Sequence, residues 1–280
     1  MIGRTIALVG LTGSGKTSQI GELSKSLAIS SGKRTLLNAA DRGGYRSILP
    51  HVKVGIITVN PMPPTDPWGW INSVCGGEGV EEDIGLVAYD SASFMGQALL
   101  DSCAEEAKEG VEIGGRPAPK FSVNKGTDQV MKIGSNVDSH FYVVQSFMTK
   151  MMWKSTWLIE KGVDIIWTFD LFVGEQGDKK PLVGPKLVGK ALTPQIPPWF
   201  NYCFMLAMVP EFDRPARHLM YLEPQPEIGG MGVTVGNPRY ALDASTPLPA
   251  IIEPASLPEA LRLIEQGELE AEENLRRELV

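Results

Sequence analysis

Cysteine is scarce in this chain. Three occur in 280 residues, Cys75, Cys103 and Cys203, and their spacing fits neither a disulfide framework nor a paired-cysteine zinc site. That excludes a disulfide-built secreted scaffold and points to reduced thiols in a cytoplasmic protein. Histidine is as rare. His51, His140 and His218 are scattered without metal-ligand spacing, and they read as surface or core residues. A positive surplus is also missing. Lys and Arg number 26 against 33 Asp and Glu, a net charge of −7, so no overall basic nucleic-acid footprint exists. A local basic groove, or small basic loops converging in a ring of subunits, is still compatible with that balance. No apolar run approaches the roughly 20 residues that span a bilayer. The longest, Cys203 to Val209, reads as a buried strand. The first residues pass from one Arg into an apolar strand and do not read as a signal peptide. Repeats and low-complexity tracts are absent.

What is present begins at Gly10. The run Gly10-Leu-Thr-Gly-Ser-Gly-Lys16-Thr17 fits G-x-x-x-x-G-K-[ST]. It follows the apolar run Thr5–Val9, which predicts a strand, and precedes Ser18–Ser30, which has helical spacing. A strand–loop–helix context is what the phosphate-binding motif requires. Glycines let backbone N–H groups turn inward around phosphate oxygens. The positive end of the following helix favours the anion. Gly10, Thr12, Gly13, Ser14, Gly15, Lys16, Thr17 and Ser18 are therefore the candidate ATP-binding residues. Lys16 is expected to reach the β- and γ-phosphates, and the Thr17 hydroxyl to ligate Mg²⁺.

Apolar runs alternate with helical patterns along the rest of the chain, which predicts an α/β fold with a mostly parallel sheet between helices. Strands are expected at Arg34–Ala39, Val54–Val59, Ile84–Tyr89, Asp164–Phe169, Asn201–Val209 and His218–Leu222. Helices are expected at Phe94–Glu109 and Ser135–Lys161, with a hairpin over Gly174–Lys190 turning at Gly177-Asp178. Gly110 to Gly126 reads as a mobile loop carrying Arg116, Lys120 and Lys125. The expected organisation is an ATPase domain over 1–250, with a small β extension at about 174–241, and an acidic helical tail over 251–280.

A P-loop needs a second acidic residue to hold Mg²⁺, usually at the end of a neighbouring strand. Gly85-Leu-Val-Ala-Tyr-Asp90-Ser91 supplies it, with Asp90 as the metal-side carboxylate; helix capping is the other reading. Hydrolysis also needs a carboxylate that orients or deprotonates water. Asp41 is the candidate, since doubly wound sheets place ligands at the carboxyl ends of their strands. Asp41-Arg-Gly-Gly is also turn-like, so a plain turn residue remains open. Asp170 closes the strand Asp164–Phe169 and either senses the γ-phosphate or caps the strand.

This order of parts resembles the RecA-like ATPases. Gly32 to Asp41 looks like the RecA stretch ending in its catalytic glutamate, and Tyr89-Asp90-Ser91 looks like its Walker B Asp-Ser. Ile165–Asp170 falls where RecA carries a strand ending in a γ-phosphate-sensing glutamine. The short RecA-like ATPases of bacteriophages, which include single-strand annealing recombinases, are similar over roughly residues 1–250. Their later part resembles Gly189–Pro194 followed by a strand, and a segment near Asn237-Pro-Arg239-Tyr240. The resemblance implies a homo-oligomer, ring or filament, with a catalytic Lys or Arg from the neighbouring subunit. Lys190 and Arg239 are the candidates for it. It also implies that ATP·Mg²⁺ controls single-stranded DNA binding in recombination, in the host cytoplasm and without a membrane partner. Two departures matter: Asp41 is one methylene shorter than the family's glutamate, and Asp170 stands in place of an amide.

Two other functions fit the motif: a small-molecule or nucleotide kinase, with the 110–126 loop as its lid, and a non-hydrolysing assembly protein locked by nucleotide. Trp68 and Trp70 follow a Pro-rich stretch and read either as packing or as a platform for adenine or a single-stranded base. Arg42 and Arg46, beside Gly43-Gly44, read as solvated turn residues or as contacts to phosphate or DNA. Met148, Met151 and Met152 have near-helical spacing and read as core.

Overall fold

A computed structural model describes residues 2–41, 43–109, 121–122, 130–131, 137–176, 179–188, 192, 195–222 and 248–278. Arg42, the 110–120 segment, the Gly177-Asp178 turn, Lys190 and Arg239 lie outside the described residues.

The chain alternates strands and helices: β1 (Thr5–Gly10), α1 (Lys16–Ser31), β2 (Arg34–Ala39), α2 (Leu49–Lys53), β3 (Ile57–Pro61), α3 (Pro67–Cys75), β4 (Ile84–Asp90) and α4 (Ala92–Glu109). Then come β5 (Phe121–Ser122), β6 (Val130–Met131), α5 (Val137–Ser155), α6 (Trp157–Glu160), β7 (Asp164–Gln176) and β8 (Lys179–Lys186). The chain continues with β9 (Tyr202–Val209), β10 (Arg217–Tyr221), β11 (Ile251–Ile252) and α7 (Leu257–Glu278). Among the described residues, β5 and β6 pair only with each other.

The main sheet runs β11-β10-β9-β1-β7-β4-β2-β3, with β8 added to β7. From β9 to β3 every pairing is parallel, while β10, β11 and β8 are antiparallel. The expected mostly parallel sheet flanked by helices is the one observed. One detail governs the site. The P-loop strand β1 does not pair with β4; β7 lies between them, in register Gly10↔Asp170 with β1 and Tyr89↔Trp167 with β4.

Period-two alternation sends side chains to two faces. Ala7, Val9, Val87 and Tyr89 join one core with residues of α3, α4 and α5, including Ile71, Leu99 and Met148. Ile6, Leu8, Leu86 and Ala88 join the other with Ile20 of α1 and Leu257, Leu261 and Ile264 of α7. The sheet is thus covered on both sides, which explains strands that read as unbroken apolar runs. Tyr89 and Trp167 stack across β4 and β7 with ring centroids 4.1 Å apart and planes 16° from parallel. The opening turns of α7 are core. Further along, Glu265 pairs with Arg4, which also binds Asp164 at 2.6 Å.

Most expected boundaries shift by one or two residues, and three larger differences have a visible cause. The third strand starts at Ile57 rather than Val54, because Gly55 (φ 79°) turns the chain out of α2 and leaves Val54 exposed. The long helix breaks after Ser155. There the Ser155 hydroxyl donates to Met152 O and the Thr156 hydroxyl to Trp153 O, side-chain bonds that compete with helix continuation. β7 does not stop at Asp170. Its parallel pairing with β1 ends there, and the strand continues to Gln176 against β8. Among the described residues no helix is long and apolar enough to cross a membrane.

Candidate functional site

The site lies where β1, β2, β4 and β7 end. Gly13 (φ 83°) and Gly15 (φ 98°) occupy the left-handed region, which side chains rarely tolerate. A Cβ on Gly13 would meet nothing within 4 Å, so the loop is open on that side. Thr12, Gly13 and Ser18 are exposed, Gly15 and Thr17 half-buried, and Ser14 and Lys16 buried. A side chain at Gly10 would collide with Ser14 Oγ and Leu206 O, so the first glycine of the motif is required for loop packing. Helix α1 starts at Lys16 with no capping side chain and no acidic residue in its first turn. Its N-terminal amides and dipole are therefore left for an anion from outside the helix.

Lys16 folds back over this loop. Its Nζ donates to Gly10 O at 2.7 Å, Leu11 O at 3.1 Å and Asp170 Oδ1 at 3.1 Å. Three donors therefore meet three oxygens, two of them on the loop itself. Asp170 is held in turn, its N–H donating to Ser93 Oγ at 2.9 Å, while the Ser93 hydroxyl donates to Lys186 O at 2.6 Å.

Asp90 is held by two hydroxyls. Thr17 Oγ1 donates to Oδ2 at 2.7 Å, and Thr168 Oγ1 donates to Oδ1. The Asp90–Ser91 peptide is cis. Burial pushes the Asp90 carboxyl above the ordinary aspartate range. The Thr168 and Thr17 hydrogen bonds and the Lys16 charge oppose that rise, and the nearby Asp41 charge adds to it. Asp41 sits two residues beyond the Ala39↔Asp90 pairing of β2 with β4. Its Oδ1 accepts from Gly43 N at 2.9 Å, so the turn chemistry read from Asp41-Arg-Gly-Gly is realised while its charge still acts on Asp90.

The structure therefore brings Lys16, Thr17, Asp41, Asp90 and Asp170 together, and the chemistry of the set suits a nucleotide. Hard oxygen donors from Thr17 and Asp90 suit Mg²⁺, and the glycine-lined loop with Lys16 suits phosphate. Among the described residues no three His, Cys, Asp or Glu side chains cluster as a metal site by themselves. Arg239 and Lys190 lie outside the described residues. Trp68 and Trp70 are turned into packing. Trp68 meets Phe147 edge-on at 4.8 Å and donates to Ser102 Oγ, and Trp70 Nε1 donates to Asn60 Oδ1 at 3.4 Å.

Sequence reading missed four participants. Thr168 and Asp170 alternate on β7, so spacing from Asp170 was a signal for Thr168. Ser93 follows Asp90 by three residues at the start of α4. Gln19 and His218 gave no signal at all. Gln19 Nε2 donates to Ala255 O at 2.9 Å and its Oε1 accepts from Leu257 N at 2.6 Å. His218 Nδ1 lies 3.3 Å from Ser14 O.

No family model matches the chain, and no curated protein is similar to it. Solved structures do match, among them a KaiC-like protein from the archaeon Pyrococcus horikoshii. It is 13% identical, with a TM-score of 0.38, and the match covers 84% of this chain and 90% of that one.

Proposed function

We propose that the protein is an ATPase of RecA-like type that hydrolyses ATP to ADP and phosphate. The observation that carries this reading is one junction: Lys16 on Asp170, and Thr17 on Asp90, at the adjoining ends of β1, β7 and β4. Phosphate arriving at the loop takes over the Lys16 donors now spent on Gly10 O, Leu11 O and Asp170. Lys16 and the loop amides then stabilise charge on the terminal phosphoryl group. Mg²⁺ held by Thr17 and Asp90 would neutralise the β- and γ-phosphate oxygens. Asp41 orients a water and accepts its proton as the water oxygen bonds to the γ-phosphorus. The bridging P–O bond breaks with its electrons going to ADP. Asp170, beside Lys16, is placed to register whether a γ-phosphate is present.

The sequence resemblance supports the finer reading, an oligomer of phage type in which Arg239 or Lys190 of a neighbour completes the site and ATP controls single-stranded DNA binding. A second reading has its own observation. The Asp41 carboxylate is engaged by Gly43 N, as in a protein that binds nucleotide to lock an assembly and turns it over little.

Phosphate release with ATP·Mg²⁺, with and without single-stranded DNA at low salt, tests these readings. Turnover that Lys16→Ala abolishes supports the ATPase, and stimulation by DNA supports the recombination role. Tight binding without turnover selects the locked assembly, and no nucleotide binding at all sinks both.

A further inference from the structure

His218 belongs to β10, which pairs with β9 on the side of β1 away from Asp90. It is no part of the P-loop motif, yet its ring lies against the loop's backbone. Nδ1 is 3.3 Å from Ser14 O, and a Cβ on Gly15 would stand 3.5 Å from the same nitrogen. A carbonyl only accepts, so the contact requires the tautomer with hydrogen on Nδ1.

The geometry points to His218 as a positioning residue for phosphate, acting through the Ser14–Gly15 peptide; this rests on the nucleotide-binding reading above. A trans peptide is planar, with C=O and the next N–H pointing opposite ways. Holding Ser14 O toward β10 therefore turns the Gly15 N–H the other way, toward the interior of the loop, where backbone amides cradle an anion. The linkage needs an anchor, because Gly13 and Gly15 flank Ser14 with left-handed φ values of 83° and 98° and glycine permits many alternatives. The Ser14 side chain supplies none: its Oγ is buried with no hydrogen-bond partner.

The anchor itself is fixed. His218 O accepts from Ala255 N at 2.8 Å. The segment at Ala255–Leu257 is bound on both sides by the amide of Gln19, one turn along α1 from the loop. P-loop, first helix, β10 and the start of α7 thus form one closed chain of hydrogen bonds. It meets the loop at two places, His218 against Ser14 O and the Gln19 N–H donating to Gly15 O at 3.0 Å; of the two, only His218 is a side chain reaching in from β10.

The test is titration of ADP and ATP against wild type, His218→Leu and His218→Asn, each with a thermal midpoint taken without nucleotide. Leucine keeps bulk and removes the donor; asparagine puts an N–H close to where Nδ1 stands. His218→Leu should bind both nucleotides about three- to tenfold more weakly, the value of one hydrogen bond. His218→Asn should return to within about twofold of wild type on the same basis. Should His218→Leu fail to fold, His218→Gln replaces it, with its amide one bond further out and weaker binding than the asparagine variant expected. Wild-type affinity in the leucine variant overturns the inference, as does a loss that follows the thermal midpoint and is not restored by asparagine. A wild type that binds neither nucleotide overturns the ATPase reading and this inference with it.

Discussion

Thr168 donates its hydroxyl proton to Asp90 Oδ1 from the neighbouring strand, leaving Oδ2 to Thr17. Thr168 is fully buried, so this bond fixes the carboxylate's orientation from behind while Thr17 approaches from the loop. Thr168→Val keeps the shape and removes the donor, leaving one carboxylate oxygen without its partner. A hydrogen bond to a charged group contributes about 1.5–3 kcal/mol. The variant should therefore need about tenfold or more Mg²⁺ to support ATP binding, with ADP binding in the absence of Mg²⁺ unchanged. An unaltered Mg²⁺ requirement would remove Thr168 from the site.

Asp90 is costly to the empty protein. Its carboxyl is raised, chiefly by burial, so the folded state keeps the proton over a pH interval in which the unfolded chain has released it. Stability falls as pH rises through that interval, and the cost is fully present above it. Asp90→Asn removes the cost. Its thermal midpoint without nucleotide should exceed that of wild type at pH 8, by about 2–4 °C for each kcal/mol relieved. The gain should shrink toward pH 4, and Mg²⁺-dependent ATP binding should be lost. A lower midpoint than wild type at pH 8 would show that burial does not dominate the group.

In the proposed ATPase, Asp170 would compete with phosphate for Lys16. Their ion pair, 3.1 Å with Lys16 buried and Asp170 partly exposed, has to open when the lysine turns to a nucleotide. A carboxylate left beside the γ-phosphate also repels it. Asp170→Asn should thus bind ATP more tightly than wild type, by a larger factor than it binds ADP. Equilibrium titration of both nucleotides checks this, and an unchanged ratio of the two affinities would place Asp170 away from the terminal phosphate.

In the proposed ATPase, Asp41 is the residue that would separate hydrolysis from mere binding. Asp41→Ala should leave ATP affinity within about threefold and lower turnover by about 10²-fold or more, the contribution of a positioned base. Single-turnover phosphate release reads the effect. Turnover that survives shows that another group prepares the water, and the turn held by Gly43 N is then all that Asp41 provides.

Local signals were legible wherever one segment carried the whole device. Thr5–Val9, the glycines and Lys16-Thr17 state a strand, a loop and a helix start within thirteen residues, and the Asp ending an apolar strand marked Asp90. What the sequence could not state is which strands become neighbours. The placing of β7 between β1 and β4 brings Thr168 onto Asp90, beside the Asp170 that the sequence did offer, and it depends on packing the two faces of the sheet. His218 reaches the loop across 204 residues, a distance at which no spacing rule operates. Local apolar content also misled: Val54-Gly-Ile56 looks like strand, but the left-handed Gly55 ends a helix there.

Charge in α7 hid a division of labour along its length. The acidic tail over 251–280 reads as a solvated amphipathic helix with Leu and Ile at helical spacing; Leu257, Ala260, Leu261 and Ile264 are buried against α1, whereas Leu269 and Leu275 are 63% and 57% exposed. The helix is thus anchored by its first two turns, next to the Gln19 contacts behind the P-loop. Leu261→Ala should destabilise the fold by about 2–5 kcal/mol through lost burial and the cavity left behind. Leu269→Ala should change stability by less than about 0.5 kcal/mol. Because Leu261 packs beside the segment that holds Gln19 and His218, its truncation should also weaken ADP binding, while the Leu269 variant binds as wild type. Urea unfolding of both variants with and without ADP separates the two effects. Equal losses at the two leucines would show that the whole helix, rather than its first turns, is what α1 requires.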